Sequence, residues 1–461
     1  MAQVTAAHIR ARTGRFALTP INTASGASDY VGFPPRRVAA VNEALVIETL
    51  TLIGASALSI ALLSRIGLPA MLGYLLAGIV VGPFGFNIVT ASDGARFLAE
   101  LGLILLMFMV GLEFSWAEMW AARRAVFVAG SVQVVLSIAC AALLARALGM
   151  PWPAAVLAGG AAAMSSTGIA LEQLQEHGEL GRPHGRIATG LLLFQDVATL
   201  PFLVVIDSAS ATGAIAFLPA LRQLVIAALA LGGLLWFGRP ILRWVLSWIG
   251  RRKSVDLFLL SALLLALGTA YLAEQFGAAP TIGAFLAGVA VGESDLRHRV
   301  SEQLRPFRDM LLGLFFVTVG MQVDVRAFGT SPLQAMLWLA LFVLGKPVLS
   351  AVAIRIAGYD MLNASRASAV LAHGSELTLL ILTQAISATL LPVNAGQAML
   401  VAVALSMGLA PTIIQHNRAI AIRVLRVLEP CVPRRPHAPL DADQGANGPA
   451  AAGSRHESRH E

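Results

Sequence analysis

Two charged residues lie inside long apolar stretches of this chain, and their types suit the binding of a cation and a proton. Asp196 lies in GLLLFQDVATLPFLVV, residues 190–205, directly after Gln195. Lys346 lies in LWLALFVLGKPVLSAVAIRI, residues 337–356, and is one of only two lysines in the chain. In a membrane, an ionised side chain at such a position costs roughly 2.5–3.5 kcal/mol on insertion scales, so it is normally functional or paired.

We expect Asp196 and Lys346 to form a buried pair. A carboxylate makes a buried lysine tolerable, and lysine releases its proton on burial far more readily than arginine does. A proton or metal cation that reaches Asp196 must then compete with the ammonium, which is the chemistry of ion exchange. The carbonyl of Gln195 would add a neutral oxygen ligand of the kind that hard cations prefer. A purely structural ion pair is the alternative.

The composition indicates what kind of protein positions these residues. The chain has 461 residues and is 57% hydrophobic but only 13% charged, against about 25% charged in soluble proteins. Its long apolar runs, from about residue 43 to 417, lack polar faces, which predicts an all-α polytopic membrane protein. Two cysteines argue against a disulfide framework. The formal net charge of +7 fits basic cytoplasmic loops, and we expect no nucleic-acid partner.

The apolar runs predict about thirteen membrane spans. Their approximate limits are 43–64, 68–86, 96–114, 125–148, 152–174, 186–207, 213–236, 255–275, 279–292, 308–324, 333–357, 366–388 and 395–416. Basic residues concentrate in alternate loops, which places those loops in the cytoplasm, the N-terminus outside and the C-terminus inside. We interpret residues 1–42 as a disordered leader or a misassigned start, 43–417 as the membrane domain, and 418–461 as a disordered cytoplasmic tail.

Two predicted spans contain stretches that disfavour a continuous helix. Residues 159–170 read GGAAAMSSTGIA, and residues 371–379 read LAHGSELTL. The two stretches lie in the fifth and twelfth spans and therefore enter the membrane in opposite directions, as inverted repeats do. Paired interruptions of this kind point to a transporter binding site, although close packing of small residues would explain either one alone. The side chains predicted to line them are Ser165, Ser166, Thr167, His373, Ser375 and Glu376.

At these residues the sequence resembles the monovalent cation:proton antiporter-2 family, and within it the membrane domain of Kef-type potassium efflux proteins. The resemblance covers about residues 43–417. It rests on LILLMFMVGLEF (103–114), MSSTGIAL (164–171), LLLFQDVATLP (191–201), GAFLAGVAVGES (283–294), GLFFVTVGM (313–321) and HGSE (373–376). It implies thirteen helices with two interrupted helices that cross near the midplane. It also implies a moving core formed by 125–207 and 333–416, a scaffold that forms a homodimer, and a location in the cell inner membrane.

The resemblance also implies roles for individual residues. Asp196 matches the family's ion- and proton-binding acid, Gln195 matches the Kef-type pattern before it, and Lys346 matches the core lysine. With the Thr167 hydroxyl, Asp196 and Gln195 are the predicted ligands of the transported alkali cation. His373 stands where the resemblance predicts Gln, and we favour a hydrogen-bonded helix-break histidine over an additional titrating group.

One departure from the resemblance concerns regulation. Kef-type proteins carry a cytosolic nucleotide-binding domain, and the tail after Glu429 is too short to form one. We therefore expect no gating by glutathione or nucleotide within this chain, which leaves a separate regulatory subunit as the candidate partner.

The predicted function is exchange of K⁺ or Na⁺ for H⁺ by alternating access, without a cofactor. A Kef-like efflux channel or ligand-gated pathway is the alternative, and it would favour a continuous pore with rings of carbonyls. A membrane-embedded enzyme is disfavoured because the sequence has no HExxH spacing and no evident Ser/His/acid set.

Overall fold

A computed structural model describes residues 43–89, 93–212, 255–275, 279–294, 297–326 and 331–428, with the single residues 222, 225 and 329. Residues 43–47 belong to an N-terminal unit, and the other described residues belong to a second compact unit. The predicted leader (1–42), nearly all of the predicted seventh span (213–236) and the tail from residue 429 lie outside the described residues.

The described secondary structure is entirely helical, which confirms the predicted all-α class. In chain order the α-helices are α1 Glu43–Ser64, α2 Ala70–Val81, α3 Asp93–Glu113, α4 Trp116–Ala121, α5 Gly130–Ala147, α6 Trp152–Ala163, α7 Thr167–Glu176, α8 Pro183–Thr212, α9 Val255–Gln275, α10 Pro280–Gly292, α11 Arg297–Gln322, α12 Pro332–Ala340, α13 Lys346–Ile356, α14 Met361–Val370, α15 Glu376–Ser387, α16 Val393–Gln415 and α17 Asn417–Leu428. Two π-helical segments, Arg124–Ala129 and Leu341–Gly345, lead into α5 and α13.

Several helical stretches are long and apolar enough to cross a membrane. Within the described residues there are six, namely Ile47–Ser64, Arg124–Ala147, Trp152–Glu176, Pro183–Ala209, Pro332–Ile356 and Val393–Gln415. Shorter apolar helices, α2, α10 and α15 among them, lie between these stretches. The chain is therefore a multi-pass membrane protein, and the count of thirteen spans stays a prediction.

Two three-span groups repeat the same plan. In each group a span with a π-helical segment comes first, a span broken midway comes second, and an uninterrupted helix comes third. The first group runs from the π-helical segment before α5 to α8, and the second from α12 to α16. That residues 125–207 and 333–416 form a moving core stays a prediction.

Glycines allow close approach of helices outside the two groups. A Cβ atom on Gly288 of α10 would lie 2.0 Å from the carbonyl oxygen of Phe108 in α3. A Cβ atom on Gly111 of α3 would lie 2.2 Å from the carbonyl oxygen of Phe285 in α10. Neither position accepts a larger residue, so α3 and α10 pack backbone to backbone as small residues permit.

The prediction of a disordered tail from residue 418 is wrong for its first part. Residues up to Leu428 form α17, in which Arg418, Arg423 and Arg426 alternate with Ile and Val. Apolar residues that recur at helical spacing stabilise an amphipathic helix against an apolar surface, so this segment folds although the residues after it are rich in Pro and Gly.

Candidate functional site

The two predicted interruptions are real breaks, and they contact each other. The first separates α6, which ends at Ala163, from α7, and the second separates α14 from α15. The backbone N–H of Ser166 donates to the carbonyl oxygen of Gly374 at 3.2 Å. The Ser165 hydroxyl donates to the carbonyl oxygen of Leu371, also at 3.2 Å. The crossing therefore satisfies backbone groups that neither broken helix satisfies alone.

Serine residues at the breaks start the following helices. Ser166 caps α7, where its hydroxyl accepts the N–H of Ile169 at 3.3 Å. Ser375 caps α15 by accepting the N–H of Leu377 at 3.1 Å, and the Thr378 hydroxyl accepts the N–H of Ser375 in return. Such caps replace the missing carbonyl partners of the first helical turn.

Lys346 contacts the two breaks and not Asp196. Its fully buried ammonium donates to the carbonyl oxygens of Met164 in the first break and His373 in the second, the latter at 3.0 Å. No hydrogen bond or ion pair joins it to Asp196, although the structure describes both residues. The predicted pair is therefore not formed, because the carbonyls freed by the two breaks offer the ammonium closer acceptors.

Gln195 also holds the first break. Its carbonyl oxygen accepts the N–H of Ser165 at 2.7 Å, and its amide nitrogen donates to Gln133 of α5 at 2.8 Å. Gln133 in turn donates to the carbonyl oxygen of Ala163 at 3.2 Å. One lone pair of the Gln195 carbonyl is thus engaged by the backbone, and its role as a cation ligand stays a prediction.

The Gln195 contacts lead to a stability prediction. Gln195→Leu leaves the buried Ser165 N–H and the side-chain carbonyl oxygen of Gln133 without their partners, and we expect a loss of roughly 1–3 kcal/mol in unfolding free energy. The control is Thr199→Val one turn further along α8, which removes only a local bond to the carbonyl oxygen of Gln195. Unfolding in mixed micelles measures both variants, and equal losses would contradict this role for Gln195.

Asp196 is 8% exposed and lies in the middle of α8. The hydroxyl of Thr167, the first residue of α7, lies 3.0 Å and 3.2 Å from its two carboxylate oxygens. The charges of Glu113 and Glu376 act on the same carboxylate. Among the residues that the structure describes, no basic side chain forms an ion pair with Asp196. The site thus gathers carboxyl groups near the N-terminal end of a broken helix.

The remaining predicted residues lie at the two helix breaks. Glu376 opens α15; its carboxylate accepts from the Ser375 hydroxyl at 3.5 Å and lies close to the start of α7. His373 is fully buried in the second break, where its Nδ1 lies 2.8 Å from the carbonyl oxygen of Gly374 and 3.3 Å from the nitrogen of Ser166. These are the contacts of a hydrogen-bonded residue at a helix break.

A second polar cluster joins the ends of several core helices. Glu179, in the loop between α7 and α8, receives hydrogen bonds from Arg366 of α14 at 2.5 Å and from Asn417 of α17 at 2.8 Å. His184, near the start of α8, lies 3.1 Å from the same carboxylate. Burial raises the pKa of Glu179, but the hydrogen bonds from Asn417 and His184 and the charge of Arg366 outweigh it and lower the pKa to about 2.

Because the pKa of Glu179 is low, the stability of the fold depends on pH in the acidic range. A carboxyl whose pKa falls from 4.5 in the unfolded chain to about 2 in the folded one stabilises the fold above pH 4.5 and loses this contribution as pH falls towards 2. We expect Glu179→Gln to cost roughly 3 kcal/mol at pH 7 and to unfold like the wild type near pH 2. Glu176→Gln, on the exposed end of α7, is the control, and a pH-independent difference for Glu179→Gln would contradict the prediction.

Sequence analysis did not predict three features of the site. Gln133 is an isolated amide in an apolar span, and that contrast was a usable signal. The π-helical segment before Lys346 had a signal in Pro347, whose missing N–H disrupts the regular helical bonding that precedes it. The hydroxyl of Ser406, which accepts the N–H of Gly374 at 3.0 Å, had no local signal because the two residues are 32 positions apart.

The sequence profile described as sodium/hydrogen exchanger, transmembrane, matches residues 52–416. The chain belongs to the sodium/hydrogen exchanger family. Within this family it is 35% identical over 373 residues to the glutathione-regulated potassium-efflux system protein KefC of Klebsiella pneumoniae (strain 342), a match that covers 80% of this chain and 60% of that protein. It is 33% identical over 398 residues to the K(+) efflux antiporter 2, chloroplastic, of Arabidopsis thaliana, which covers 84% of this chain and 34% of that protein.

Solved structures of an exchanger share the fold. The sodium proton antiporter MjNhaP1 of Methanocaldococcus jannaschii superposes with a TM-score of 0.54 at pH 8, with 13% identity over 83% of this chain and 99% of that one. A second MjNhaP1 structure, from an electron microscopy map, gives a TM-score of 0.57, with 14% identity over 86% and 100% of the two chains. The shared architecture of this exchanger family member thus extends over most of its length.

Proposed function

We propose that this family member exchanges a monovalent cation, K⁺ or Na⁺, for H⁺ by alternating access, with the two ions competing for Asp196. The observation that carries the proposal is the buried carboxylate of Asp196, which has no cationic partner among the described residues. A buried ionised carboxylate needs compensation. Because Lys346 is committed to the helix breaks, a proton or a metal cation must supply that compensation, and each displaces the other.

The surroundings of Asp196 suit a small hard cation. The carboxylate and the Thr167 hydroxyl, 3.0 Å apart at their closest, offer oxygen ligands of the type that alkali cations prefer. Glu113 and Glu376 act electrostatically on Asp196, and each attracts cations to the site when it is ionised. The crossed breaks support alternating access, since short half-helices can shift as rigid pieces around a fixed site.

Relatives and sequence support further parts of the proposal. The names of KefC and of the Arabidopsis relative favour K⁺, and that of MjNhaP1 favours Na⁺. The chain spans about 60% of the length of KefC. We propose a homodimer in the cell inner membrane, with an external N-terminus, a cytoplasmic C-terminus and a membrane domain over residues 43–417. We further propose no enzymatic activity, and regulation through a separate subunit.

Reconstitution in liposomes tests exchange directly. The full chain is inserted into vesicles that contain a pH-sensitive dye, and a proton gradient is imposed with the membrane potential clamped. We expect K⁺ or Na⁺ to dissipate the gradient, whereas choline leaves it intact. A cation flux without proton movement would overturn exchange in favour of an efflux channel. Dose curves for K⁺, Na⁺ and Li⁺ then give the selectivity.

A further inference from the structure

An apolar groove of about 880 Å³ opens on the exposed side of α13, away from the buried Lys346. The side of the groove opposite α13 is lined by α14, by the end of α16 and by the amphipathic α17. Its volume lies within the range of about 300–1,000 Å³ that ligand sites usually have. The apolar lining includes Leu344, Val348, Val352, Ile413, Ile420 and Val424.

The length of the groove matches one leaflet of a bilayer. It extends along α13 and the π-helical segment before it, from Val343 to Arg355. Twelve residue steps of helix rise about 18 Å, and half of a hydrocarbon core of about 30 Å measures about 15 Å. The groove therefore has the reach of a single acyl chain, from the bilayer centre to the polar region.

Basic side chains mark the polar end of the groove. Arg355 lines this end and donates to the carbonyl oxygen of Tyr359. Among the described residues, no acidic side chain forms an ion pair with it. The exposed Arg423 of α17 lies three residues after the groove-lining Ile420, on the same face of the helix. This charge suits a phosphate at the membrane surface.

We infer that the groove is a binding site for one anionic glycerophospholipid. An acyl chain lies along α13, and the phosphate contacts Arg355. This site is separate from Asp196, so the inference does not depend on the proposed exchange activity.

Native mass spectrometry of the purified full chain tests this site, with phosphatidylglycerol and phosphatidylethanolamine supplied in equal amounts. We expect the wild type to retain one phosphatidylglycerol per protomer after delipidation, with a preference of about fivefold for each arginine that contacts the phosphate. Val348→Trp fills the groove and should lose the adduct. Its control is Val135→Trp on α5, because Val348 and Val135 are both 63% exposed.

The substitution of Arg355 has a matched control as well. Arg355→Gln should reduce the headgroup preference about fivefold. Arg146→Gln should leave the preference unchanged, because Arg146 makes the same kind of contact at the end of α5, to the carbonyl oxygen of Met150 at 3.3 Å, without lining the groove. Melting curves confirm that all four variants fold. The inference would be overturned if the two tryptophan variants retained equal amounts of lipid, or if the wild type showed no headgroup preference. It would also be overturned if Val348→Trp kept the lipid but dissociated the dimer, because the groove would then be a contact between protomers.

Discussion

Asp196→Asn should reduce cation-dependent proton movement to the rate of protein-free liposomes. Asparagine has nearly the shape of aspartate and can still accept from Thr167, but it carries no charge and binds no proton in the accessible pH range. The site then has no group for which the two ions compete. Proton movement driven by K⁺ or Na⁺ in dye-loaded liposomes measures this effect.

The fold of Asp196→Asn should survive, because the substitution removes a buried carboxylate that has no cationic side chain beside it. We expect an unfolding free energy no lower than that of the wild type, and no stabilisation by added K⁺ or Na⁺, since ligand binding to the folded state is lost. Asp207→Asn, on the same helix, should retain both exchange and stabilisation by the cation. Normal exchange by Asp196→Asn would refute the assigned site.

Lys346→Met should have the largest effect on stability. The ammonium donates to one carbonyl in each break, at Met164 and His373, and methionine leaves both carbonyls buried without a donor. Hydrogen bonds to charged groups contribute about 1.5–3 kcal/mol each, so we expect a loss of roughly 3–5 kcal/mol in unfolding free energy. Lys346→Gln should recover part of it through its amide donor.

The same variants separate a structural lysine from an ion-binding one. Leu333→Met, on the exposed side of the same span, should change the unfolding free energy by less than about 0.5 kcal/mol. Chemical unfolding in mixed micelles provides the comparison. If Lys346→Met kept the stability of the wild type but lost exchange, Lys346 would act on the transported ion, and its contacts with the breaks would be incidental.

Local sequence was enough to predict much of the fold. Many long helices that are apolar on all sides indicate a membrane protein, because exposing such surfaces to water is unfavourable. The serine, glycine and histidine residues near 165 and 374 were enough to locate both breaks, because these residue types disfavour a continuous helix or cap a new one. Asp196 was conspicuous because a carboxylate inside an apolar span costs free energy, so a residue of this kind is normally functional or paired.

The tertiary structure decided which groups meet. Opposite charges in the sequence favoured an Asp196–Lys346 pair. The Lys346 ammonium instead lies between two helix breaks that are far apart in the chain, and it donates hydrogen bonds to their carbonyl oxygens. Gln195 likewise bonds to Gln133, 62 residues away, and to the first break. The sequence determined which residues need a partner, because that need is a property of each side chain and its apolar surroundings. Only the packing of the helices determined which partner lies within hydrogen-bonding distance.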